Sequence, residues 1–424
     1  METPPVKIVL INKSDSTGGA AVVSRRLAEA LRSEGAEASL LVCEKLTDLP
    51  WVHQAAGKKR ALIPFIAERL GIWCAEGFRR GNLFKADTAT HGLPLHRHPL
   101  VREADVVCLG WVNQGMLSLR EIERIIRMGK PVVWIMHDMW CATGICHHAH
   151  SCGKFKEKCG SCPLLSPFSF RGDISRRTFR RKKRLYSGGG ITLAPVSNWL
   201  AGKCRESALT SGVPLKVIPN PFPDTVEPAH NSSGSEFRIL FGAARLDDPI
   251  KGLPLLIHTL GIFAKRYPDI ASRSRLVTFG NIRDASLLAS LPVAATHLGL
   301  VKGETALRDI YSGADAVIST SLYETLPGTL VEGQAYGCVP VSFISGGQED
   351  IVDDGATGFI TPLASDREDS CSRLADKLAE AFAALSSEPD ALKERMRQNV
   401  KNRFESSAVA KEYMKLFADL CNKI

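Results

Sequence analysis

The sequence predicts an α/β fold made of two Rossmann-like halves. Apolar, strand-like runs alternate with amphipathic helices, and this alternation stops near residue 218 and restarts near residue 237, with a proline-rich, polar stretch between. A chain of 424 residues is also too long for one ordinary core. We therefore expect an N-terminal domain over 1–218, a linker over 219–236, a C-terminal domain over 237–400, and a C-terminal helix over 401–424 that crosses back to the first domain.

Composition narrows the choice of partners. The net charge of +9 favours anionic ligands such as nucleotide phosphates, phospholipid surfaces or nucleic acid. No run reaches the roughly eighteen apolar residues of a membrane span, and the first residues lack the basic and apolar segments of a secretory signal. We expect a cytoplasmic protein that can associate with the inner face of the membrane. Its twelve cysteines are then thiols or metal ligands rather than disulfides.

The first strand, residues 7–12, leads through a polar loop to Gly18 and Gly19 and then to a helix over 21–33. A glycine pair between a strand and a helix lets backbone N–H groups approach a phosphate, but it also suits a tight turn that packs helix on sheet. Residues 57–100 fit two interpretations: a helix with a solvated basic face, or an interfacial amphipathic segment with a basic rim.

A histidine follows the buried strand over 131–136. His137 stands at the carboxyl end of this strand, where it can contact a ligand or donate to a developing charge. A purely structural histidine is the alternative.

The most specific spacing is C-x5-C-x6-C-x2-C, in an insertion over 141–163. Four thiolates this close together suit a tetrahedral structural zinc, with Cys146, Cys152, Cys159 and Cys162 as its ligands. One of His147, His148 and His150 could replace a thiolate, and reduced or redox-active cysteines are the alternative.

The most basic window follows the cysteines. It runs from Arg171 to Arg184 with Asp173 as its single acid, and includes Arg176, Arg177, Arg180, Arg181, Lys182 and Lys183. It can contact anionic lipid headgroups or a lipid-diphosphate acceptor, or form a solvated face.

Two cations and two carboxylates stand out in the second half. Arg245 and Lys251 follow its first strand with the spacing R-x5-K, which suits a diphosphate as well as ordinary surface charge. Glu324 follows a strand over 315–320, in the region where open α/β sheets bind ligands. Glu332 lies eight positions later in the next helix, too deep for a capping acid, and we expect it to contact hydroxyl groups.

Together these features resemble the retaining GT-B glycosyltransferases of family 4, over nearly the whole chain. The stretch from His137-Asp138-Met139-Trp140 to Cys162-Pro163 resembles a subgroup of exopolysaccharide, capsule and colanic-acid transferases. The resemblance implies a GT-B fold, with two Rossmann-like domains facing across a cleft. It also implies a nucleotide diphosphate sugar as donor and a growing, lipid-linked glycan as acceptor, with no cofactor required for catalysis and no nucleic acid as partner.

The resemblance also assigns roles. Arg245 and Lys251 neutralise the diphosphate leaving group, His137 contacts the donor sugar, and Glu324 binds sugar hydroxyls. The remaining assignments concern substrate binding: Gly18 and Gly19 lie against the diphosphate or the acceptor, Glu332 binds the ribose, and Pro327, Gly328 and Thr329 present backbone N–H groups to the phosphates.

The chain departs from the family pattern in three places. The common Glu-Gly-Phe-Gly is Glu324-Thr325-Leu326-Pro327-Gly328 here, the usual linker Asn-Gly is Asn220-Pro221, and the glycine before the arginine is Ala244. We expect a hexosyl- or deoxyhexosyltransferase of surface polysaccharide biosynthesis. The alternatives are a nucleotide-sugar epimerase on the same fold and a zinc-stapled nucleic-acid-binding protein.

Overall fold

The computed structural model describes residues 4–166, 173–222, 236–301 and 303–422. They form two compact units, the first comprising Met1–Pro221 with Ser406–Ile424 and the second comprising Phe222–Glu405. Most of the expected linker lies outside the described residues, as does Arg171 of the basic window.

A six-stranded parallel sheet forms the centre of the first unit, with strand order β3-β2-β1-β4-β5-β6. Its strands are β1 Lys7–Ser14, β2 Glu37–Glu44, β3 Val52–Gln54, β4 Val106–Leu109, β5 Val132–Met136 and β6 Ile191–Pro195. Its helices are α1 Gly19–Ser33, α2 Lys58–Ala75, α3 Pro99–Glu103, α4 Leu119–Ile126, α5 Ile174–Ser187 and α6 Asn198–Glu206. Strands β4, β5 and β6 are buried along their whole length, which explains why they read as continuous apolar runs.

The second unit repeats this topology in a second six-stranded parallel sheet, of order β12-β11-β10-β7-β8-β9. Its strands are β7 Phe237–Arg245, β8 Ser274–Asn281, β9 Ala294–His297, β10 Ala316–Ser319, β11 Val339–Ile344 and β12 Phe359–Pro362. Its helices are α7 Leu253–Arg266, α8 Pro268–Ala271, α9 Ser286–Ala289, α10 Glu304–Ser312, α11 Gly328–Ala335, α12 Arg367–Ser387 and α13 Pro389–Arg403.

The last helix, α14 Ser406–Cys421, belongs to the first unit. It packs against α1 and buries Tyr413 and Phe417, and Lys216 pairs with Glu412 at 3.1 Å. The tail is therefore part of the first unit's own packing.

Each sheet has one point where the strand order reverses. It lies between β1 and β4 in the first unit and between β7 and β10 in the second, because later strands are added on the opposite side of the first one. In open α/β sheets the loops leaving such a pair of strands diverge and leave a crevice in which ligands bind. The loops after β1, β4, β7 and β10 are therefore the first places to look for a site.

Several boundaries differ from the sequence expectation: β1 continues to Ser14, and α1 begins at Gly19 instead of residue 21. Helix α4 begins at Leu119, because Ser118 caps it by accepting a hydrogen bond from the Glu121 N–H at 3.1 Å. The three-residue strand β3 was not expected from the sequence.

Candidate functional site

The crevice of the second unit brings Lys251 and Glu324 together. Lys251 ends a short 3-10 turn, Pro249–Lys251, after β7, and Glu324 lies in the loop after β10. The Lys251 Nζ donates to the Glu324 Oε1 at 2.6 Å, although the two residues are 73 positions apart in the chain. Both side chains stay partly exposed, so the pair is accessible to a ligand that competes for the ammonium group.

Backbone contacts fix this pair from both sides. The Leu322 N–H donates to the Ile250 carbonyl at 2.7 Å, and the Thr320 hydroxyl donates to the Lys251 carbonyl at 3.1 Å. Gly252 has a φ of +69°, and a Cβ there would lie 2.1 Å from the Thr320 carbonyl oxygen. The two loops therefore pack so closely that this position accepts only glycine.

A second glycine holds the backbone of Glu324. The loop after β11 forms a parallel bridge between Gly346 and Glu324, and the Gly347 N–H donates to the Glu324 carbonyl at 3.1 Å. A Cβ on Gly346 would fall 1.6 Å from that carbonyl oxygen. These contacts with the loop after β11 therefore fix the position of the Glu324 backbone.

Arg245, the last residue of β7, is flanked by acids that the sequence analysis did not single out. Its Nε lies 3.4 Å from Asp247 and its Nη2 lies 3.2 Å from Asp248. Asp248 also caps the 3-10 turn, accepting from the Ile250 N–H at 3.2 Å. The carboxylates orient the guanidinium while leaving its side chain 38% exposed, so it remains available to an anion.

Glu332 is partly buried in the second turn of α11. Its Oε2 accepts a hydrogen bond from the buried Tyr311 hydroxyl at 3.1 Å. Burial, and next the charge of Glu332, raise the pKa of Tyr311 well above its ordinary value, so this phenol stays a proton donor. The pair fixes the position of one of the two Glu332 carboxylate oxygens.

The start of α11 corrects one expected contact. Helix α11 begins at Gly328, and its N-cap residue Pro327 makes no side-chain cap hydrogen bond. Proline has no backbone N–H, so Pro327 cannot donate to a phosphate as expected, and only Gly328 and Thr329 can. The Leu330 N–H is already used within the helix, because it donates to the Pro327 carbonyl at 3.1 Å.

A pocket of about 330 Å³ lies at the switch point of the first unit. It is lined by the loop after β1, including Gly18 and Gly19, and by Trp111 and Gln114 of the loop after β4. Gly18 has a φ of +88°, and a Cβ on either glycine would meet nothing within 4 Å. The glycines therefore leave open space at the start of α1, which fits a nearby ligand better than a requirement of packing.

His137 follows β5, beside the switch point. Burial lowers its pKa to about 4, against smaller upward effects of Asp138 and of a hydrogen bond with the Asn220 side chain. The imidazole is therefore neutral near pH 7, and it can donate or accept a hydrogen bond but supplies no positive charge.

Behind His137 lies a buried network. His147 stands between two carboxylates, with its Nδ1 2.7 Å from Asp138 and its Nε2 2.7 Å from Asp87. Asp138 also accepts from the Trp111 indole N–H at 3.1 Å, and Arg69 pairs with Asp87. Although burial raises the pKa of Asp138, the charge and hydrogen bond of His147 lower it to about 2.

The network overturns one alternative: His147 cannot replace a thiolate as a metal ligand, because both ring nitrogens already face carboxylates. Its spacing from the cysteines suggested the wrong role, since Asp87 comes from a distant part of the chain. Through these hydrogen bonds, Asp138 holds in place the segment that carries its neighbour His137.

The four cysteines of the insertion line one small pocket, together with Ala149 and Phe155. All four are free thiols, and burial raises the pKa of Cys159 and of Cys162 to about 11. In the part of the chain that the structure describes, no three or more His, Cys, Asp or Glu side chains are arranged to hold a metal ion. Four thiols are donors that suit zinc, and the structural zinc remains a prediction.

The cations of the basic window lie on α5, where most of them are exposed and one is buried. Arg176, Arg177, Arg180, Arg181, Lys183 and Arg184 are exposed. Lys182 is buried: it donates to the carbonyls of Trp140 and Thr143 and lies over the Trp140 ring, and burial lowers its pKa to about 7. Lys182 is therefore a structural residue and not part of a binding surface.

Comparison with known proteins agrees with the geometry of the second unit. Residues 237–384 match the family model described as glycosyl transferases group 1. The matched stretch contains Arg245, Lys251, Glu324 and Glu332. The match lies entirely within the second unit.

Curated relatives match over a short stretch. Glycogen synthase of Pseudomonas aeruginosa is 34% identical over 91 residues, which are 20% of this chain and 18% of that protein. The chain thus spans about a fifth of the length of this relative.

Solved structures match over the whole chain. HepE of Anabaena in complex with UDP has a TM-score of 0.60 at 16% identity, covering 98% of this chain and all of that one. A glycosyltransferase from Rickettsia africae has a TM-score of 0.62 at 14% identity, covering 99% and 100% of the two chains. These similarities confirm the predicted α/β, GT-B fold class.

Proposed function

We propose that this protein is a glycosyltransferase that moves a sugar from a nucleotide diphosphate sugar to a glycan acceptor. The observation that carries the proposal is the Lys251–Glu324 pair at the second unit's switch point, inside the stretch that matches glycosyl transferases group 1. Arg245 supplies a second cation in the same crevice. Anion-binding cations beside a carboxylate that can accept from hydroxyls suit a ligand that combines a diphosphate with a sugar.

The reaction breaks the bond between the sugar's anomeric carbon and the diphosphate oxygen, and forms a bond from that carbon to an acceptor oxygen. The acceptor hydroxyl proton passes to the departing diphosphate. Lys251 and Arg245 stabilise the charge that the diphosphate gains, assisted by the Gly328 and Thr329 N–H groups at the start of α11. Glu324 accepts from sugar hydroxyls and Glu332 from the ribose, and no step requires a protein general base.

The finer parts of the proposal rest on the family resemblance. They are retention of anomeric configuration, a lipid-linked acceptor, and a role in surface polysaccharide biosynthesis, for which the stretch from His137 to Pro163 is the support. A lipid-linked acceptor also implies peripheral association with a membrane. The described residues contain no helix long and apolar enough to cross one.

The alternatives find less support. Neither a nucleotide-sugar epimerase nor a nucleic-acid-binding protein is supported by the comparisons, and both leave the glycosyl transferase match of 237–384 unexplained. HepE was solved with UDP, which makes UDP-sugars the first donors to test.

The test is a panel of UDP-, GDP- and other nucleotide sugars added to the purified full chain. We expect one donor class to raise the melting temperature of the protein, since a ligand that binds only the folded state stabilises that state. We expect the same donor to release its nucleoside diphosphate when an extract that contains glycan acceptors is added. A panel in which no member shifts the melting temperature or releases a nucleoside diphosphate would overturn the proposal.

Separately, we propose that Cys146, Cys152, Cys159 and Cys162 hold a structural zinc. A common pocket for the four thiols supports this proposal. Elemental analysis of protein purified in reductant is expected to find zinc in equal amount to the chain, and its absence would remove this claim alone.

A further inference from the structure

Helix α2 buries two charged residues on its inner side and exposes a row of apolar residues on its outer side. Its charged Glu68 and Arg69 are buried: Glu68 accepts from the backbone N–H groups of Ala89 at 2.5 Å and Gly115 at 2.8 Å, and Arg69 pairs with Asp87. These contacts fix which side of α2 faces the first unit. Soluble proteins bury the apolar side of a helix and expose the charged one, so α2 needs another explanation.

The outward side of α2 is a continuous apolar stripe. Leu62, Ile63, Ile66 and Leu70 are 51%, 68%, 45% and 52% exposed. Their spacing places them within one third of the helix circumference, because successive residues turn by about 100°. Single exposed hydrophobic residues are common, but a row of four on one helix side marks a binding surface.

The apolar residues are concentrated in this one region. Ten large hydrophobic side chains are exposed among the described residues, and six of them lie between residues 58 and 85, including Phe78 and Phe84 after the end of α2. We call these six exposed residues the α2 face: residues 62, 63, 66, 70, 78 and 84.

The charge around the α2 face has one sign. Exposed cations stand at both ends, namely Lys58, Lys59, Arg60, Arg79, Arg80 and Lys85. The two carboxylates of this stretch, Glu68 and Glu76, are both buried. An apolar stripe with a cationic rim complements a bilayer surface with anionic headgroups, where apolar side chains enter the acyl region and cations meet the phosphates.

The α2 face also adjoins the first unit's switch point. A second pocket, of about 290 Å³, is lined by Leu62, Phe65 and Lys58 of α2 and by Lys13 and Glu44. Lys13 and Glu44 also line the pocket of Gly18 and Gly19. A lipid-linked molecule held at the α2 face would therefore present its polar head within reach of the glycine pair.

We propose that the α2 face binds a membrane surface that contains anionic lipids. The inference deepens the proposed function, on whose lipid-linked acceptor it rests. Binding is measured with neither donor nor acceptor, so it succeeds or fails independently of the transfer reaction.

The experiment is cosedimentation of the full chain with vesicles of phosphatidylcholine and phosphatidylglycerol, and with vesicles of phosphatidylcholine alone. We expect binding to the anionic vesicles and at least about tenfold weaker binding to the neutral ones. The double variant Ile63→Ser/Ile66→Ser is expected to bind anionic vesicles at least about tenfold less well, because it removes two side chains that enter the bilayer.

Control variants test whether other exposed apolar or basic residues account for vesicle binding. Leu298→Ser/Leu300→Ser removes two exposed leucines of the second unit, 45% and 50% exposed, and should bind like wild type. Arg180→Gln/Arg181→Gln removes two exposed cations of α5, and should weaken binding less than the α2 variant. Because all six substituted side chains are exposed, melting temperatures should stay within a few degrees of wild type.

Three outcomes would overturn the proposal. The first is no binding to either vesicle, and the second is binding that depends on the α5 arginines and not on Ile63 and Ile66. The third is a wild-type chain that self-associates without binding vesicles and becomes monomeric in Ile63→Ser/Ile66→Ser, which would make a second copy the occupant of the α2 face.

Discussion

The two switch points have the same topology but present different chemistry. In both units the crevice lies between the first strand and the fourth, because both sheets share the order 3-2-1-4-5-6. The first unit's pocket exposes glycine backbone and an indole, with one loosely paired cation, Lys13, 3.8 Å from Glu44. The second unit's crevice holds a tight ion pair and an arginine between two acids.

The strand order therefore determines where each crevice lies, and the loops determine which chemical groups the crevice presents to a ligand. A cationic crevice with oriented carboxylates suits a charged, hydroxyl-rich donor. A glycine-lined pocket offers shape and backbone N–H groups, which suit an acceptor whose identity varies. Substitutions in the two loops should therefore have effects that differ in kind as well as in size.

The largest effect is expected from Lys251→Ala in the second unit. Removing the ammonium group takes away charge stabilisation of the leaving diphosphate, and leaves Glu324 without its partner at 2.6 Å. We expect the rate constant for transfer, kcat, to fall about a hundredfold to a thousandfold while the fold survives. Glu324→Gln should act in the same direction. Lys265→Ala, an exposed lysine at the end of α7, is the matched control, and normal turnover in Lys251→Ala would remove Lys251 from the mechanism.

A smaller effect is expected from Gly18→Ala in the first unit. The added methyl group points into the open pocket and strains a backbone with a φ of +88°. We expect KM to rise about tenfold with little change in kcat, since the loop contributes binding rather than charge stabilisation.

Gly35→Ala is a matched control for this variant, because Gly35 has a φ of +89° and also meets nothing within 4 Å. Both variants should lose about 1 kcal/mol of stability from the same backbone strain. Equal KM values in the two variants would show that Gly18 serves only the turn.

The fold could be predicted well from the sequence because the signals that define it are local. Buried parallel strands are continuous apolar runs, and Ser197 begins α6 as a capping residue, accepting from the Leu200 N–H at 3.2 Å. β3 escaped prediction because three residues give no periodicity. Helix α2 stayed ambiguous because both of its sides carry apolar residues, and only the contacts of Glu68 show which side faces inward.

The candidate site could be predicted residue by residue but not as contacts. Lys251 and Glu324 were each singled out, yet their pairing depends on β7 lying beside β10, which no local pattern encodes. Asp247 and Asp248 were missed, although two acids at the second and third positions after Arg245 were a visible signal. The Asp87–His147–Asp138 network had no local signal, because its members come from separate segments.

The smallest effect is expected from the pH dependence of His137, which tests whether this histidine is neutral in the folded protein. The pKa of His137 is about 4 in the folded protein, below the ordinary histidine value of 6.5, so the unfolded chain binds a proton more readily. The contribution of His137 to the free energy of unfolding should therefore be complete above pH 6.5, and it should be lost as the pH falls from 6.5 towards 4. His137→Gln removes this titration, so the melting-temperature difference between wild type and variant should shrink on acidification. His91→Gln, an exposed histidine of the same unit, should leave the wild-type pH dependence intact. If the melting curves of wild type and His137→Gln keep a constant separation from pH 7.5 to 4.5, His137 is not the neutral group described above.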